Sequence, residues 1–218
     1  MNMLFEKNDW ILFIGDSIGD YDRYRPVGDS ADGWGTSYVS DVASMLQAAY
    51  PAYRMRIMNV CTSGHQSRDL ENRWDEDVMN NRPDWVCMMI GINDVWRQYD
   101  CPDRPELWYG IEDYEAALCR MIEKTLPKVK GMVLMTPYFL EQNKEDEMRK
   151  TMDAYGAVVK KLGEKYGILT IDTQKMWDDF FTEGGLHPHA ICWDCIHPNI
   201  IGRKVLCRTF LKAVGYEW

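Results

Sequence analysis

The sequence predicts an α/β fold, a mostly parallel β-sheet covered by helices on both faces. Five short apolar runs rich in branched residues recur along the chain: WILFIG (10–15), RMRIMNV (54–60), DWVCMMIG (84–91), GMVLMTPY (131–138) and ILTIDT (168–173). Each has the length and residue preference of a strand. Segments of helical periodicity separate them, and strand–helix–strand alternation makes βαβ units whose strands run parallel. No internal repeat, low-complexity tract or linker divides the chain, so one domain is expected over residues 1–218.

The helices follow in order. Val39, Val42, Met45, Leu46 and Ala49 repeat at helical spacing, and Pro51 follows the helix end. A shorter helix is expected over 67–79, where Leu70, Trp74 and Val78 stand four apart. Residues 113–126 carry Tyr114, Leu118, Met121 and Ile122 on one side. The segment 145–166 runs through Met148, Met152, Tyr155, Val159 and Leu162 and stops at Gly167, and 199–214 supplies the last helix.

Composition narrows the function. The 218 residues are 46% hydrophobic and 27% charged, enough to bury a continuous core. A formal net charge of −9 excludes nucleic acid or an anionic membrane as the main partner, since both would repel it. The opening MNMLFEKNDW has no basic n-region, and no stretch approaches the ~18 apolar residues of a membrane span. A cytoplasmic protein is expected. Seven scattered cysteines make no disulfide framework, and Cys87 and Cys119 fall in periodic segments as small core residues. Cys192 and Cys195 have CxxC spacing but no second pair of ligands, and His187 and His189 lie in a Gly- and Pro-punctuated loop. No metal and no cofactor are expected.

In open parallel sheets ligands bind outside the carboxyl ends of the strands, so the residues just after each run face one crevice. The first run is followed by Asp16 and Ser17, the second by Gly64 and His65, and the third by Asn93 and Asp94. Asp194 and His197 precede the last helix. Ser17 by position alone suits a helix N-cap as well as a nucleophile. With the others it suits a hydrolase. A neutral serine hydroxyl needs a base, which His197 can be, and Asp194, three residues earlier, can hold the imidazole in one tautomer. The N–H groups of Ser17 and Gly64 and the amide of Asn93 are candidates for the oxyanion hole. Gly64, lacking a Cβ, lets the backbone come close to a substrate.

These ordered blocks, Gly15-Asp16-Ser17, Gly64, Asn93 in GIND and Asp194 with His197, resemble the SGNH (GDSL) hydrolases over nearly the whole chain. The resemblance implies a flavodoxin-like three-layer α/β/α sandwich with a central five-stranded parallel sheet. It also implies a Ser17–Asp194–His197 triad and an oxyanion hole at Ser17, Gly64 and Asn93. GINDVWRQYD, MTPY, MRKTMDAYGAVVK and the closing GYEW are further similar to the intracellular bacterial acetylxylan esterases of that family, which act on acetylated xylo-oligosaccharides. Two segments depart from that pattern near the expected mouth of the site. Gly19 stands where such enzymes commonly carry threonine, and GGLHPHAIC (184–192) is locally different.

Asp16, Asp94, Arg97 and Trp193, with Trp96 beside them, are candidate contacts to a neutral sugar ester by their closeness in sequence to the catalytic residues. Asp16 is also expected to brace the turn before Ser17. The expected partner is a small acetylated oligosaccharide, with a homo-oligomer implied by the resemblance and Trp218 suited to a subunit contact. A broad short-chain esterase or thioesterase would use the same residues. A flavodoxin-like nucleotide or flavin module would need a phosphate cradle after the first strand, where GDSIGDYDR instead places three acidic residues.

Overall fold

The apolar run WILFIG forms strand β1 (Trp10–Gly15), whose residues Ile11 to Ile14 are at most 1% exposed, as a strand covered on both faces requires. The computed structural model describes residues 3–30 and 32–217, so Trp218 and the subunit contact expected there lie outside the described residues. Strands β2 (Arg56–Asn59), β3 (Trp85–Met89), β4 (Gly131–Met135) and β5 (Leu169–Ile171) complete one all-parallel sheet in the order β2-β1-β3-β4-β5. Phe13 lies level with Asn59 on one side and Cys87 on the other, and Cys87 with Val133.

Helices cover both faces, giving a three-layer sandwich. They are α1 (Ser17–Asp20), α2 (Tyr38–Ala49), α3 (Ser67–Asn72), α4 (Ile92–Asp100), α5 (Ile111–Thr125), α6 (Glu147–Tyr166), α7 (Thr173–Gly184) and α8 (Ile200–Ala213). One layer pairs α2 with α8 and α8 with α7; the other pairs α3 with α5, α5 with α6, and α6 with α4. After β2 the chain crosses β1 to build the other half of the sheet. The strand order therefore reverses between β1 and β3, which opens a crevice between the segments that follow them. Ser17 begins the segment after β1, and Asn93 lies in the segment after β3.

The sequence expectation differs from the structure in defined places. Each expected run except the first is trimmed, because residues past the strand ends, such as Ile90 and Thr173, leave the ladder to build loops and helix starts. Ile90 gives its carbonyl to the Tyr114 hydroxyl at 2.8 Å, and Thr173 opens α7. The helix expected over 67–79 is α3 followed by a widened turn at Asp75–Met79. A spacing of four overshoots the 3.6-residue turn, and the wider turn keeps Leu70, Trp74 and Val78 all buried. The helix start expected at Ser17 is α1, with the cap one residue earlier at Asp16, whereas α4 and α7 have no counterpart in the expectation. Cys87 is in the core as expected, whereas Cys119 is only half-buried against it.

Candidate active site

Three residues from opposite ends of the chain meet at the crevice. Ser17 Oγ lies 2.7 Å from His197 Nε2, and His197 Nδ1 lies 2.6 Å from Asp194 Oδ2. The helix cap that Ser17 could have been is supplied by Asp16, whose Oδ1 accepts from the Ile18 amide at 2.9 Å. The Ser17 hydroxyl is thereby left for the imidazole. Asp194 and His197 share one tight turn, in which Asp194 Oδ1 accepts from the amides of Ile196 (3.0 Å) and His197 (2.8 Å) and from the Cys192 thiol (3.0 Å). Cys195 takes the left-handed conformation (φ 61°) that closes the turn. Partial burial works against the Asp194 charge, but the His197 amide and ring, the Cys192 thiol and the Ile196 amide outweigh it and hold the carboxyl at about 2. An ionised carboxylate can only accept, so His197 Nδ1 carries the hydrogen and Nε2 is left to accept from Ser17.

The candidate oxyanion donors sit in the segments that follow β1, β2 and β3. Ser17 is the first residue of α1, where backbone N–H groups have no intrahelical acceptor. The Thr62 amide bonds the Gly15 carbonyl at 3.0 Å, which sets the loop after β2 against the end of β1. In that loop Gly64 has φ +79°, and a Cβ there would meet open space, so the requirement for glycine comes from its backbone conformation. Asn93 Nδ2 donates to the His65 carbonyl at 2.9 Å, which orients its amide and leaves its second N–H available. Arg73 buttresses the same loop through His65 Nδ1 (3.1 Å) and the Val60 carbonyl (2.8 Å). Burial and then the Arg73 charge lower the His65 pKa, so its ring is held as a neutral acceptor.

Asp16 and Asp94 correct the expectation of substrate contact: they are 1% and 0% exposed. Asp94 accepts from the Ser67 amide (3.0 Å) and hydroxyl (2.5 Å), tying the start of α4 to the start of α3 and hence Asn93 to the Gly64 loop. Burial pushes the Asp94 carboxyl up to about 6 against those Ser67 hydrogen bonds. Asp16 is pushed up to about 7 by burial, with the Asp94 charge adding to it, and its Oδ2 has no hydrogen-bond partner among the described residues.

A cleft of about 680 Å³ opens over the serine, lined by Ser17, Asp20, Tyr21, Arg23, Arg25 and Trp193 among others. Trp193, 81% exposed, stands at its edge. Arg97 lies outside that lining, stacked 5.0 Å over Trp96 and ion-paired with Asp100. The rings of Trp96 and Tyr21 flank His197 at 6.1 and 6.5 Å. Sequence reasoning missed the wall made by Tyr21, Arg23 and Arg25. Arg23, 6% exposed, ties this loop to the next through the Cys61 carbonyl (2.5 Å) and braces its own loop through the Pro26 carbonyl (2.6 Å), and Arg25 pairs with Asp20 at 2.7 Å. The charged run DYDRYR directly after the serine block was the available signal.

Of the two departures from pattern, Gly19 lies inside, under the loop after β2, where a Cβ would run into Cys61. The segment 184–192 leads into the triad turn, with the exposed rings of His187 and His189 stacked at 5.0 Å. Among the described residues no group of three or more His, Cys, Asp and Glu is placed to hold a metal, and no helix is long and apolar enough to cross a membrane.

The sandwich and its Ser–His–Asp constellation define a serine hydrolase of the SGNH type, and the chain belongs to the GDSL-like lipase/acylhydrolase family, whose model matches residues 13–205. It is 47% identical over 217 residues to an acetylxylan esterase of Geobacillus stearothermophilus, covering 99% of this chain and 98% of the relative. The crystal structure of Axe2, an acetylxylan esterase from that organism, superposes with a TM-score of 0.96 at 46% identity, over 99% of this chain and 98% of Axe2. LAE5, an α/β hydrolase from the metagenome of Lake Arreo, Spain, gives 0.95 at 40% identity over 99% of both chains.

Proposed function

We propose that this chain is a serine carbohydrate esterase that removes acetyl groups from xylo-oligosaccharides. The observation that carries the reading is the relay from Ser17 through His197 to Asp194, with contacts of 2.7 and 2.6 Å, opening on a cleft edged by Trp193. Similarity to Axe2 supports it further. Structures described as catalytic mutants of that enzyme replace a serine, a histidine and an aspartate, the last two three residues apart as Asp194 and His197 are.

In this reading His197 Nε2 takes the Ser17 proton as Oγ attacks the acetyl carbonyl. The N–H groups of Ser17 and Gly64 and the Asn93 amide receive the negative charge on the former carbonyl oxygen, each donor contributing about 2.7–4 kcal/mol. As the intermediate collapses and the bond from the acyl carbon to the sugar oxygen breaks, His197 gives the proton to that oxygen, which leaves as a hydroxyl. Water, activated by the same imidazole, hydrolyses the acetyl-serine. Asp194, ionised throughout, keeps the ring oriented and stabilises the imidazolium.

We further propose that residues 1–218 form one catalytic domain, that it works in the cytoplasm, and that it associates with itself. Seven free cysteines suit a reducing compartment, and the exposed Trp193, Ile200 and Ile201 offer apolar surface for association.

Mass spectrometry of acetylated xylo-oligosaccharides before and after enzyme tests the activity, with Ser17→Ala as control. Loss of 42-unit mass steps (~42, one acetyl replaced by hydrogen) is expected only with Ser17 present, at a rate at least about 10³-fold above the variant. Full turnover by Ser17→Ala rejects the reading. Equal rates on acetylated xylobiose and on p-nitrophenyl acetate and butyrate reassign the enzyme as a broad short-chain esterase.

A further inference from the structure

The triad carboxylate has a partner that the mechanism above does not use. Cys192 is 2% exposed, and its Sγ lies 3.0 Å from Asp194 Oδ1. The two other donors to Oδ1 are the amides of Ile196 and His197, which belong to the same turn and rotate with it. Cys192 comes from outside that turn, and its own amide is tied to the Pro188 carbonyl at 2.8 Å, at the start of the short 3-10 turn Pro188–Ala190. The thiol thus links the carboxylate to the segment before the turn, through a contact that the turn's own amides do not supply.

We propose that Cys192 is a positioning residue of the triad: its thiol donates to Asp194 Oδ1 and fixes the carboxylate plane that keeps Oδ2 on His197 Nδ1. The direction of the bond follows from the groups. Asp194 is ionised and can only accept, while burial, followed by the neighbouring carboxylate, pushes the Cys192 thiol up, so the sulfur keeps its proton. A thiol is a weak donor in water, but in a buried site with an anionic acceptor no solvent competes for it. Asp194 reaches the imidazole through a single oxygen. A carboxylate free to twist about its last torsion, a broad and soft rotation, would spend part of its time with that contact lengthened. The spacing CxxC therefore contains one cysteine with a task at the triad, which accounts for Cys192 without any metal or disulfide.

The inference rests on the Ser17–His197–Asp194 reading, and four variants separate the two. Cys192→Val fills the space without a donor, Cys192→Ala removes both, Cys192→Ser keeps a donor, and Ser17→Ala tests the triad itself. For acetylated xylobiose, kcat is expected to fall about five- to tenfold in the Val and Ala variants with KM within about twofold of wild type, the loss of one hydrogen bond to a charged group. Cys192→Ser should recover most of that loss. Wild-type kcat in both Val and Ala overturns the proposal, as does a Ser variant as slow as Ala while Val stays fast, which would show packing alone. An active Ser17→Ala overturns the triad reading instead. Should the Cys192 substitutions unfold the turn, a pair that keeps Cys192 still decides: the S–H stretching band of a hydrogen-bonded thiol is expected at lowered frequency in wild type and should move back in Asp194→Asn. A thiol spectrum indifferent to Asp194→Asn overturns the proposal.

Discussion

Asp194 accepts from four donors, the Ile196 and His197 amides, the Cys192 thiol and the His197 ring, while Asp16, on the other side of Ser17, receives one. The same residue type is therefore held at about 2 in one place and about 7 in the other, in each case with burial opposing the charge and only in the first with donors enough to outweigh it. A consequence for stability follows. Folded Asp16 keeps its proton to about pH 7, whereas the unfolded carboxyl releases it near 3.8, so between those values the folded state binds more protons. Stability contributed by this group then falls as pH rises from about 4 to about 7 and is level above, on the order of 2–4 kcal/mol in all. Urea unfolding of wild type and Asp16→Asn at pH 4.5 and 7.5 (round values about either end of that window) should show the wild type losing stability relative to the variant. Parallel pH slopes would refute it. At this scale the sequence was legible where chemistry and position agree, as with Ser17, Asn93 and His197 after strands or before the last helix. It misled at Asp94, where closeness in sequence to Asn93 suggested a substrate contact, because the Ser67 donors that allow its burial come from a different element.

Among the elements, α1 is the one on which the site depends most. Its four residues carry Ser17 at the start and Gly19 against Cys61, where a Cβ would also stand 3.1 Å from the Cys61 Cβ. Gly19 and Cys61 thus divide one volume between them, and the threonine common at this place in acetylxylan esterases does not fit beside a cysteine. Gly19→Thr should destabilise by about 1–3 kcal/mol and lower kcat by displacing Ser17. Adding Cys61→Ala should return more than half of the stability, a coupling read from a double-mutant cycle in urea. Additive effects of the two substitutions would show that the volumes are independent. Strand β1 was readable to the residue because a fully covered strand is an uninterrupted apolar run. Helix α4 was not read, although Ile92, Val95, Trp96 and Tyr99 have helical spacing, because GIND reads as a turn and the apolar run before it hides the boundary. Helix α7 carries Trp177 and Phe181 four apart and ends at Gly185, a signal of the same kind.

On the scale of the whole molecule, the order β2-β1-β3-β4-β5 does what composition could not foretell in detail: it brings residues 17, 64, 93 and 197 to one end of the sheet. Alternation of runs and helices made that end predictable, but the side wall of the cleft was not, since Tyr21 to Arg25 owe their place to long-range bonds such as Arg23 to the Cys61 carbonyl. The proposed self-association draws on the exposed Trp193, Ile200 and Ile201. Light scattering over a hundredfold range of concentration (about 10²) should give a mass above that of one chain, rising toward a fixed multiple. A constant 25.5 kDa would refute it.

Asp194 and His197 lie on one turn, whereas Ser17 is 180 residues from His197 in sequence. The acid and the base are a preassembled cassette, and the nucleophile is a separate part seated on the central strand. Within the relay, one joint, the 2.7 Å from Oγ to Nε2, spans the length of the chain. A lineage can therefore rebuild the outer wall of this cleft, and the appetite for one ester or another with it, while leaving that joint and the loops of Gly64 and Asn93 as they stand.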